Sequence, residues 1–245
     1  DDRATLGDAV HLTIDRTIQA VAEREIELSV RTFEAQAGSV VVMDPRSGEI
    51  LAMASYPTFD PNDPSASPPS SRRFRAITDR FEPGSTVKPF TIAAALAAGV
   101  LRPTEGIDCL EGVMEVADAA PITDTHHWGV LTPAEILAHS SNIGAARIGS
   151  RLGARGLYRA FRRFGFGART GIPLPGETAG SLRHHSRWYE RDMYSIAFGQ
   201  GMSVNALQLA TAMGVIANGG RLVEPILVSR VVEPDGDLVL EAGPR

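Results

Sequence analysis

Lysine is almost missing from this chain of 245 residues: Lys88 is the only one, and every other long cationic side chain is arginine. Arginine stays protonated near neutral pH, whereas a lysine that is shielded from water can lose its proton. Lys88 follows Ser85 by three residues, at the start of an apolar stretch. This pair is typical of a nucleophilic hydroxyl and its base. The alternative is that Lys88 survives by accident in an arginine-biased sequence, because an SxxK spacing alone is a weak signal.

Cysteine occurs only once, and long hydrophobic runs and an excess of positive charge are missing. The single cysteine, Cys109, excludes an internal disulfide, and a structural or solvent-facing thiol is favoured over a nucleophile because no base is evident near it. The longest apolar stretch, residues 91–101, is too short to cross a bilayer. The net charge of -5 argues against a general affinity for nucleic acid or for an anionic membrane.

Two regular patterns mark the first part of the chain. Apolar residues recur at three- and four-residue steps over residues 15–36, which predicts an amphipathic helix. Residues 38–43 and 49–55 are apolar and flank a turn-forming sequence, so they predict a hairpin inside a sheet. At 43% hydrophobic residues the chain can bury a substantial core, and its length fits one large domain or two small ones.

A helix predicted over residues 86–100 bears directly on the Ser85–Lys88 pair. The segment is apolar on nearly every face, so we expect the helix to be buried. Ser85 is placed as its N-cap, where unpaired N–H groups and the helix dipole stabilise negative charge. Lys88 lies one turn further on the same face, and burial there lowers its pKa. We therefore expect a partly neutral amine within hydrogen-bonding distance of the hydroxyl.

A junction between two helices carries a second pair of polar residues. Thr132 and Glu135 have the spacing of a capping box, and the short helix that they begin ends at His139. A new helix is predicted from residue 143. Ser140 and Asn142 lie between the two helices, where rigid elements can hold their side chains towards a cleft.

The rest of the chain mixes loops with short elements. Residues 56–80 and 101–131 show little pattern and predict loops, the first of them exposed. The remaining predicted elements are helices over residues 143–152, 154–164 and 205–218, and a hairpin formed by residues 226–232 and 238–241.

Together, Ser85-x-x-Lys88 and Ser140-x-Asn142 are two of the three motifs found in penicillin-binding proteins and serine β-lactamases. From residue 12 to its end, the chain resembles the transpeptidase domain of class B penicillin-binding proteins. The matching segments follow the family's order and are Leu12-Thr-Ile-Asp15, Val42-Met-Asp-Pro-Arg-Ser-Gly-Glu-Ile-Leu-Ala-Met-Ala-Ser-Tyr-Pro-Thr-Phe-Asp-Pro-Asn62, Glu82-Pro-Gly-Ser-Thr-Val-Lys-Pro-Phe90, Ser140-Ser-Asn-Ile-Gly144 and Asn218-Gly-Gly220.

This resemblance implies both a fold and an activity. The fold is α+β, of the penicillin-binding protein and serine β-lactamase type, with an antiparallel sheet that is flanked by helices on both faces and incomplete at the C-terminus. The activity is that of a peptidoglycan D,D-transpeptidase that cross-links stem peptides through an acyl-enzyme on Ser85. Lys88 is expected to accept the Ser85 proton, Ser140 to relay a proton to the leaving group, and Asn142 to bind a backbone amide of the substrate.

Three further residues are candidates for contact with the substrate. Trp128 is expected at the rim of the cleft, and Gly199 and Gln200 lie in a Gly-Gln-Gly turn that lacks the lysine and the spacing of a phosphate loop. No metal site is predicted, because the histidine pairs at residues 126–127 and 184–185 have no acidic or cysteine partner at ligand spacing.

The resemblance also implies partners and a location. It implies no cofactor and no nucleic acid, but D-Ala-D-Ala stem peptides, β-lactams and a membrane glycosyltransferase. It places the intact protein on the extracytoplasmic (periplasmic) face of the membrane. The family's third motif, Lys-Thr-Gly, is not found, and Arg169-Thr-Gly171 is interpreted as a decoy in an irregular loop. We therefore expect residues 1–245 to be a partial transpeptidase domain, without the family's anchor, pedestal and C-terminal strands.

Two alternatives stay open. The first is a β-lactam hydrolase or sensor of the same fold, although Asn142 differs from the apolar residue of class D enzymes and no Glu is plainly placed to activate a deacylating water. The second is a catalytically inert fragment, which the missing third motif favours. Acylation by a penicillin separates an active site from an inert fragment, and turnover of the penicillin separates a hydrolase from a transpeptidase.

Overall fold

The computed structural model describes residues 7–243, and within them the chain forms seven α-helices and nine β-strands. The helices are α1 Arg16–Thr32, α2 Arg75–Thr78, α3 Lys88–Ala97, α4 Pro133–His139, α5 Asn142–Arg163, α6 Glu190–Ala197 and α7 Ala206–Ala217. The strands are β1 Ala9–Leu12, β2 Gly38–Met43, β3 Ile50–Tyr56, β4 Ile107–Asp108, β5 Val113–Val116, β6 Ala119–Thr123, β7 Val130–Leu131, β8 Val228–Val232 and β9 Leu238–Glu241.

Two compact units divide the described chain. The first comprises residues 7–79, 169–178 and 205–243, and the second comprises residues 80–168 and 179–204. Both combine helices with antiparallel strands, so the predicted α+β class is confirmed.

A β-hairpin forms the centre of the first unit. The hairpin predicted between residues 38 and 55 is confirmed as β2 and β3, which pair antiparallel with Val41 opposite Met53. Side chains alternate between the two faces of a strand. One face of the hairpin packs on Ala22 of α1, and the other packs on Ile77 of α2 and Leu207 of α7. Helices therefore cover both faces of this hairpin, as predicted.

A second, three-stranded sheet has the order β1–β8–β9. The predicted C-terminal hairpin is confirmed as β8 and β9, with Val231 opposite Leu240. No strand was predicted at β1, which pairs with β8. The four residues of β1, Ala-Val-His-Leu, are too few to show the alternation of apolar and polar residues that marks a half-buried strand, and all four are exposed.

Two stretches that were predicted to be loops contain regular structure. Residues 56–80 include α2, in which Ala76 and Ile77 are buried, so this stretch is not wholly exposed as predicted. Residues 101–131 include the four strands β4 to β7. These strands are only two to five residues long, which is too short for a periodic pattern to stand out.

Helices α3, α5 and α6 form the framework of the second unit. Phe90 of α3 lies edge-on to Phe166, with the two ring centroids 5.1 Å apart. The two helices predicted over residues 143–152 and 154–164 are confirmed, because α5 consists of two helical segments that meet in a kink at Gly153, whose φ of 65° and ψ of 166° are not helical. None of the helices in the described part of the chain is long and apolar enough to cross a membrane.

Candidate active site

Ser85 lies in a short 3-10 helix, Gly84–Val87, that leads directly into α3. The prediction that Ser85 is the N-cap of the following helix is therefore wrong, because the helical turn already begins at Gly84. The difference matters for chemistry. The side-chain oxygen of a capping serine accepts a hydrogen bond from the helix backbone. The hydroxyl of Ser85 has no capping bond here and is exposed, so it remains free for other partners.

Lys88 is the first residue of α3, and only 1% of its surface is exposed. One turn of helix separates it from Ser85, and its Nζ lies 3.0 Å from Ser85 Oγ. The spacing noticed in the sequence thus corresponds to a direct hydrogen bond between an exposed hydroxyl and a buried amine.

Ser140 ends α4 in the left-handed conformation, with φ 56° and ψ 39°. A left-handed residue is a common way to stop a helix, although glycine adopts this conformation more easily than serine. The turn sends the Ser140 hydroxyl back to Ser85, with the two Oγ atoms 2.9 Å apart. The capping box of Thr132 and Glu135, predicted at the start of this helix, is confirmed.

Four oxygen atoms surround the Lys88 amine. Besides Ser85 Oγ they are Ser140 O at 2.5 Å, Ser140 Oγ at 3.0 Å and Asn142 Oδ1 at 2.9 Å. The carbonyl oxygen of Ser140 and the amide oxygen of Asn142 can only accept hydrogen bonds, whereas the two hydroxyls can also donate. A neutral amine can therefore donate its two N–H groups to these two acceptors. Its lone pair is then left for the proton of a serine hydroxyl.

Burial lowers the pKa of Lys88 to about 8, because the charged form loses its hydration inside the protein. The negative charge of Asp124 opposes this shift. The expected partly neutral amine is thus in agreement with the environment of Lys88. A pKa near the working pH is also what a general base requires.

The turn at residues 199–201 supports the backbone beside Ser85. Gly84 N donates a hydrogen bond to Gly199 O at 3.0 Å, and Gly201 N donates one to Glu82 Oε1 at 2.8 Å. Gly199 is buried and has a φ of 89°, and a Cβ at this position would clash with the carbonyl oxygen of Gly84. Only glycine fits this close approach of two backbone segments.

Gly199→Ala is expected to disturb this site strongly. The left-handed backbone costs a non-glycine residue roughly 1–3 kcal/mol, and the clash with Gly84 adds to that cost. We expect a lower free energy of unfolding in urea, and slower acylation of Ser85 because the preceding residue is displaced. Gly201→Ala is the matched control: its φ is 76°, but the nearest atom to its Cβ is Ile196 Cγ1 at an ordinary 3.8 Å. Equal effects of the two substitutions would contradict the role given to the Gly84–Gly199 contact.

Comparison of the chain with known protein families points to the same family as the two motifs do. Residues 38–243 match the family described as penicillin binding protein transpeptidase domain. The chain belongs to this family. Among curated relatives of this transpeptidase domain, the probable peptidoglycan D,D-transpeptidase PenA of Neisseria meningitidis is 37% identical over 235 residues, which are 96% of this chain and 40% of that protein. The peptidoglycan D,D-transpeptidase FtsI of Escherichia coli is 35% identical over 237 residues, with the same two coverages. The chain thus spans about 40% of the length of these two relatives.

Solved transpeptidase structures resemble the chain closely. Penicillin-binding protein 3 of Mycobacterium tuberculosis, determined in complex with aztreonam, matches with a TM-score of 0.91 and 31% identity, over 100% of this chain and 55% of that one. The transpeptidase domain of penicillin-binding protein 3 from Burkholderia pseudomallei, determined without ligand, matches with a TM-score of 0.80 and 32% identity, over 96% of this chain and 64% of that one. The predicted family and the predicted type of fold are confirmed.

The other residues predicted to bind the substrate lie beside neighbours of Ser85 and Ser140. Trp128 stacks on His139, with the ring centroids 4.3 Å apart, and His139 immediately precedes Ser140. Gln200 is exposed in the turn next to Gly199. Contact of Trp128, Gly199 and Gln200 with a substrate stays a prediction.

Asp124 is the residue of this site that sequence reasoning missed. It follows β6, in a stretch that had been predicted to be a patternless loop, and a single aspartate there carries no signal. The structure places its carboxylate against Ser141, Asn142 and Ile143. Asp124 therefore contacts the segment that supplies three of the four oxygens around the Lys88 amine. These are Ser140 O, Ser140 Oγ and Asn142 Oδ1.

The sequence offered three further features to weigh: the single cysteine, the Arg169-Thr-Gly171 motif and a metal site. Cys109 is buried, and the loss of hydration raises the pKa of its thiol, which fits a structural role. Arg169-Thr-Gly171 is irregular rather than a strand, and the Thr170 hydroxyl donates to Glu177 Oε1 at 2.7 Å, which supports its interpretation as a decoy. Among residues 7–243, no three or more His, Cys, Asp and Glu side chains form a group that could hold a metal ion.

Proposed function

We propose that the protein is a serine-type peptidoglycan D,D-transpeptidase that works through an acyl-enzyme on Ser85. One observation carries the proposal: the exposed Ser85 hydroxyl lies 3.0 Å from a buried Lys88 amine whose two N–H groups have acceptor-only partners in Ser140 O and Asn142 Oδ1. Membership of the transpeptidase family and the names of the relatives, which are peptidoglycan D,D-transpeptidases, support the same reaction.

The first half of the reaction forms an ester. Ser85 Oγ attacks the carbonyl carbon between the two D-alanines of a stem peptide while its proton passes to the neutral Lys88 amine. The C–N bond then breaks, and the leaving D-alanine nitrogen takes up a proton. Ser140 Oγ, within 3.0 Å of both Ser85 Oγ and Lys88 Nζ, supplies that proton and recovers one from the Lys88 ammonium.

In the second half, an amine of a neighbouring stem peptide attacks the ester carbonyl. The new C–N bond forms, the Ser85 C–O bond breaks, and Ser85 Oγ regains a proton from the attacking amine through Lys88 or Ser140. Asn142 is placed to bind a backbone amide of the stem peptide through its side chain. The Ser85 N–H is expected to donate to the oxyanion that forms in each half.

Ligands and surroundings follow from the proposed reaction. β-Lactams are expected to acylate Ser85, as the family name penicillin-binding indicates and as the aztreonam complex of the Mycobacterium tuberculosis relative suggests by analogy. Peptidoglycan lies outside the cytoplasmic membrane, so we propose that the protein acts on the extracytoplasmic (periplasmic) side, anchored to the membrane, with a membrane glycosyltransferase as its partner.

Exchange of the terminal D-alanine tests this function. The protein is incubated with a synthetic stem peptide ending in D-Ala-D-Ala and with a second D-amino acid, and the products are separated by mass spectrometry. We expect release of D-alanine and a peptide that carries the added D-amino acid, and neither product with Ser85→Ala. A folded wild-type protein that gives neither exchange nor hydrolysis would contradict the proposal. Rapid turnover of benzylpenicillin without peptide exchange would favour a β-lactam hydrolase.

The pH dependence of acylation follows from the state of Lys88. The protonated amine cannot accept the Ser85 proton, and the pKa of Lys88 is about 8. The acylation rate should therefore rise with pH by about tenfold per unit below that value and level off above it. The measurement is the rate of labelling by a fluorescent penicillin between pH 6 and pH 9, in a range where the fold is shown to be intact. A rate that stays constant across this range would contradict a neutral Lys88 as the base.

A further inference from the structure

We infer that Asp124 is a positioning residue of this site: its carboxylate fixes the segment that carries Ser140 and Asn142. A second role follows from its negative charge, which favours the protonated form of the Lys88 amine beside this segment. The inference rests on the proposed function for its catalytic meaning. The two roles of Asp124 have separate signatures and can be measured separately.

Three hydrogen bonds hold the carboxylate to the start of α5. Asp124 Oδ1 accepts from Asn142 N at 2.5 Å and from Ile143 N at 3.2 Å, and Asp124 Oδ2 accepts from Ser141 Oγ at 2.5 Å. The first N–H groups of a helix have no partner within the helix, and a carboxylate at this end is stabilised by the helix dipole. One side chain thus ties down the three residues that follow Ser140.

The residue before Asp124 completes the attachment. Asn142 Nδ2 donates to Thr123 O at 3.0 Å, which orients the amide so that its Oδ1 faces the Lys88 amine. The end of β6 therefore fixes Asn142 through both its backbone and its side chain. A shift of this segment would move three of the four oxygens around Lys88 at once, because Ser140 and Asn142 are separated by a single residue.

The charge of Asp124 acts on an otherwise neutral environment. The groups that face the Lys88 amine are the two hydroxyls of Ser85 and Ser140, the Ser140 carbonyl and the Asn142 amide, none of which is charged at neutral pH. Among the described residues, Asp124 is the one whose charge raises the pKa of Lys88 against the effect of burial. Without it, Lys88 would lose its proton at a lower pH.

Two substitutions separate the roles. Asp124→Asn keeps an oxygen that can accept from Asn142 N but removes the charge, whereas Asp124→Ala removes both. The matched control is Asp108→Asn, which removes a carboxylate from the same unit, where Asp108 accepts from Leu110 N and forms an ion pair with Arg147.

The titration of Lys88 tests the charge directly. Because Lys88 is the only lysine in the sequence, protein labelled with ¹³C at the lysine ε-carbon gives one side-chain signal in an NMR spectrum. We expect the midpoint of its titration to fall in Asp124→Asn by roughly half a pH unit or more, and to stay unchanged in Asp108→Asn. An unchanged midpoint in Asp124→Asn, or an equal fall in the control, would overturn the inference. This readout does not require activity.

Acylation by a fluorescent penicillin tests the positioning. The rates are compared at a pH where Lys88 is neutral in every variant. Asp124→Ala is expected to react roughly ten- to a hundredfold more slowly than wild type, because hydrogen bonds to a charged group are lost. Asp124→Asn is expected to react at a rate much closer to that of wild type. The rising limb of the Asp124→Asn rate profile should move to lower pH, which a purely structural residue would not cause. An Asp124→Ala rate equal to wild type would overturn the positioning role. A wild-type protein that does not react would instead contradict the proposed function, while the Lys88 titration would still decide the role of the charge.

Discussion

Lys88→Arg is expected to slow the acylation of Ser85 by about 10³-fold or more. Arginine has the same charge and enough donors for Ser140 O and Asn142 Oδ1, but it does not release its proton near neutral pH. General bases contribute about 10²–10⁴-fold to a rate, and the substitution removes this contribution. Arginine is also bulkier than lysine, so it fits less easily at this position, where Lys88 is only 1% exposed.

The measurement is the second-order rate constant for labelling by a fluorescent penicillin. Arg46→Lys, the reverse exchange at an exposed position, should leave the rate unchanged and so provides the control. Thermal unfolding of Lys88→Arg separates a misfolded protein from an inactive one. A folded Lys88→Arg protein that reacts within tenfold of the wild-type rate would show that Lys88 is not the base.

Ser140→Gly is expected to reduce peptide exchange by about 10²-fold or more while leaving the fold intact. The hydroxyl lies within 3.0 Å of both Ser85 Oγ and Lys88 Nζ, and removing a proton relay costs an amount typical of general acid–base catalysis. Glycine is chosen because Ser140 has a φ of 56°, which glycine adopts more easily than serine does. The backbone carbonyl that accepts from Lys88 is therefore expected to keep its place.

Ser140→Ala is the companion variant. It removes the same hydroxyl but retains a Cβ in the left-handed backbone, so it should be no more stable than Ser140→Gly. Both variants should lose exchange activity to a similar degree, as measured by mass spectrometry of the stem-peptide products. If Ser140→Gly retained most of the activity and only Ser140→Ala lost it, the backbone rather than the hydroxyl would be responsible.

The sequence allowed the pair of Ser85 and Lys88 to be predicted because a helical spacing of three residues determines their proximity. The capping box that begins α4 was predicted for the same reason, since its partners are close in the chain. The hairpin of β2 and β3 follows from two apolar segments on either side of a turn. Each of these features depends on local contacts, and the local pattern was sufficient.

Contacts between distant parts of the chain could not be predicted in this way. Asp124 meets Asn142 across 18 residues, from a stretch whose strands are too short to show periodicity. The position of Ser85 inside a 3-10 turn was also missed, because capping preferences make a serine before an apolar helix look like an N-cap. The turn begins at Gly84, whose φ of 55° suits glycine, and this leaves the Ser85 hydroxyl without a capping bond.

The central claim, that Ser85 is a nucleophile activated by Lys88, is tested most directly by the mass of the intact protein after incubation with benzylpenicillin. We expect wild-type protein to gain the mass of one penicillin molecule, peptide mapping to place the adduct on Ser85, and Ser85→Ala to gain nothing. An adduct of the same yield in Ser85→Ala, or no adduct in a wild-type protein shown to be folded, would show that Ser85 is not the activated nucleophile.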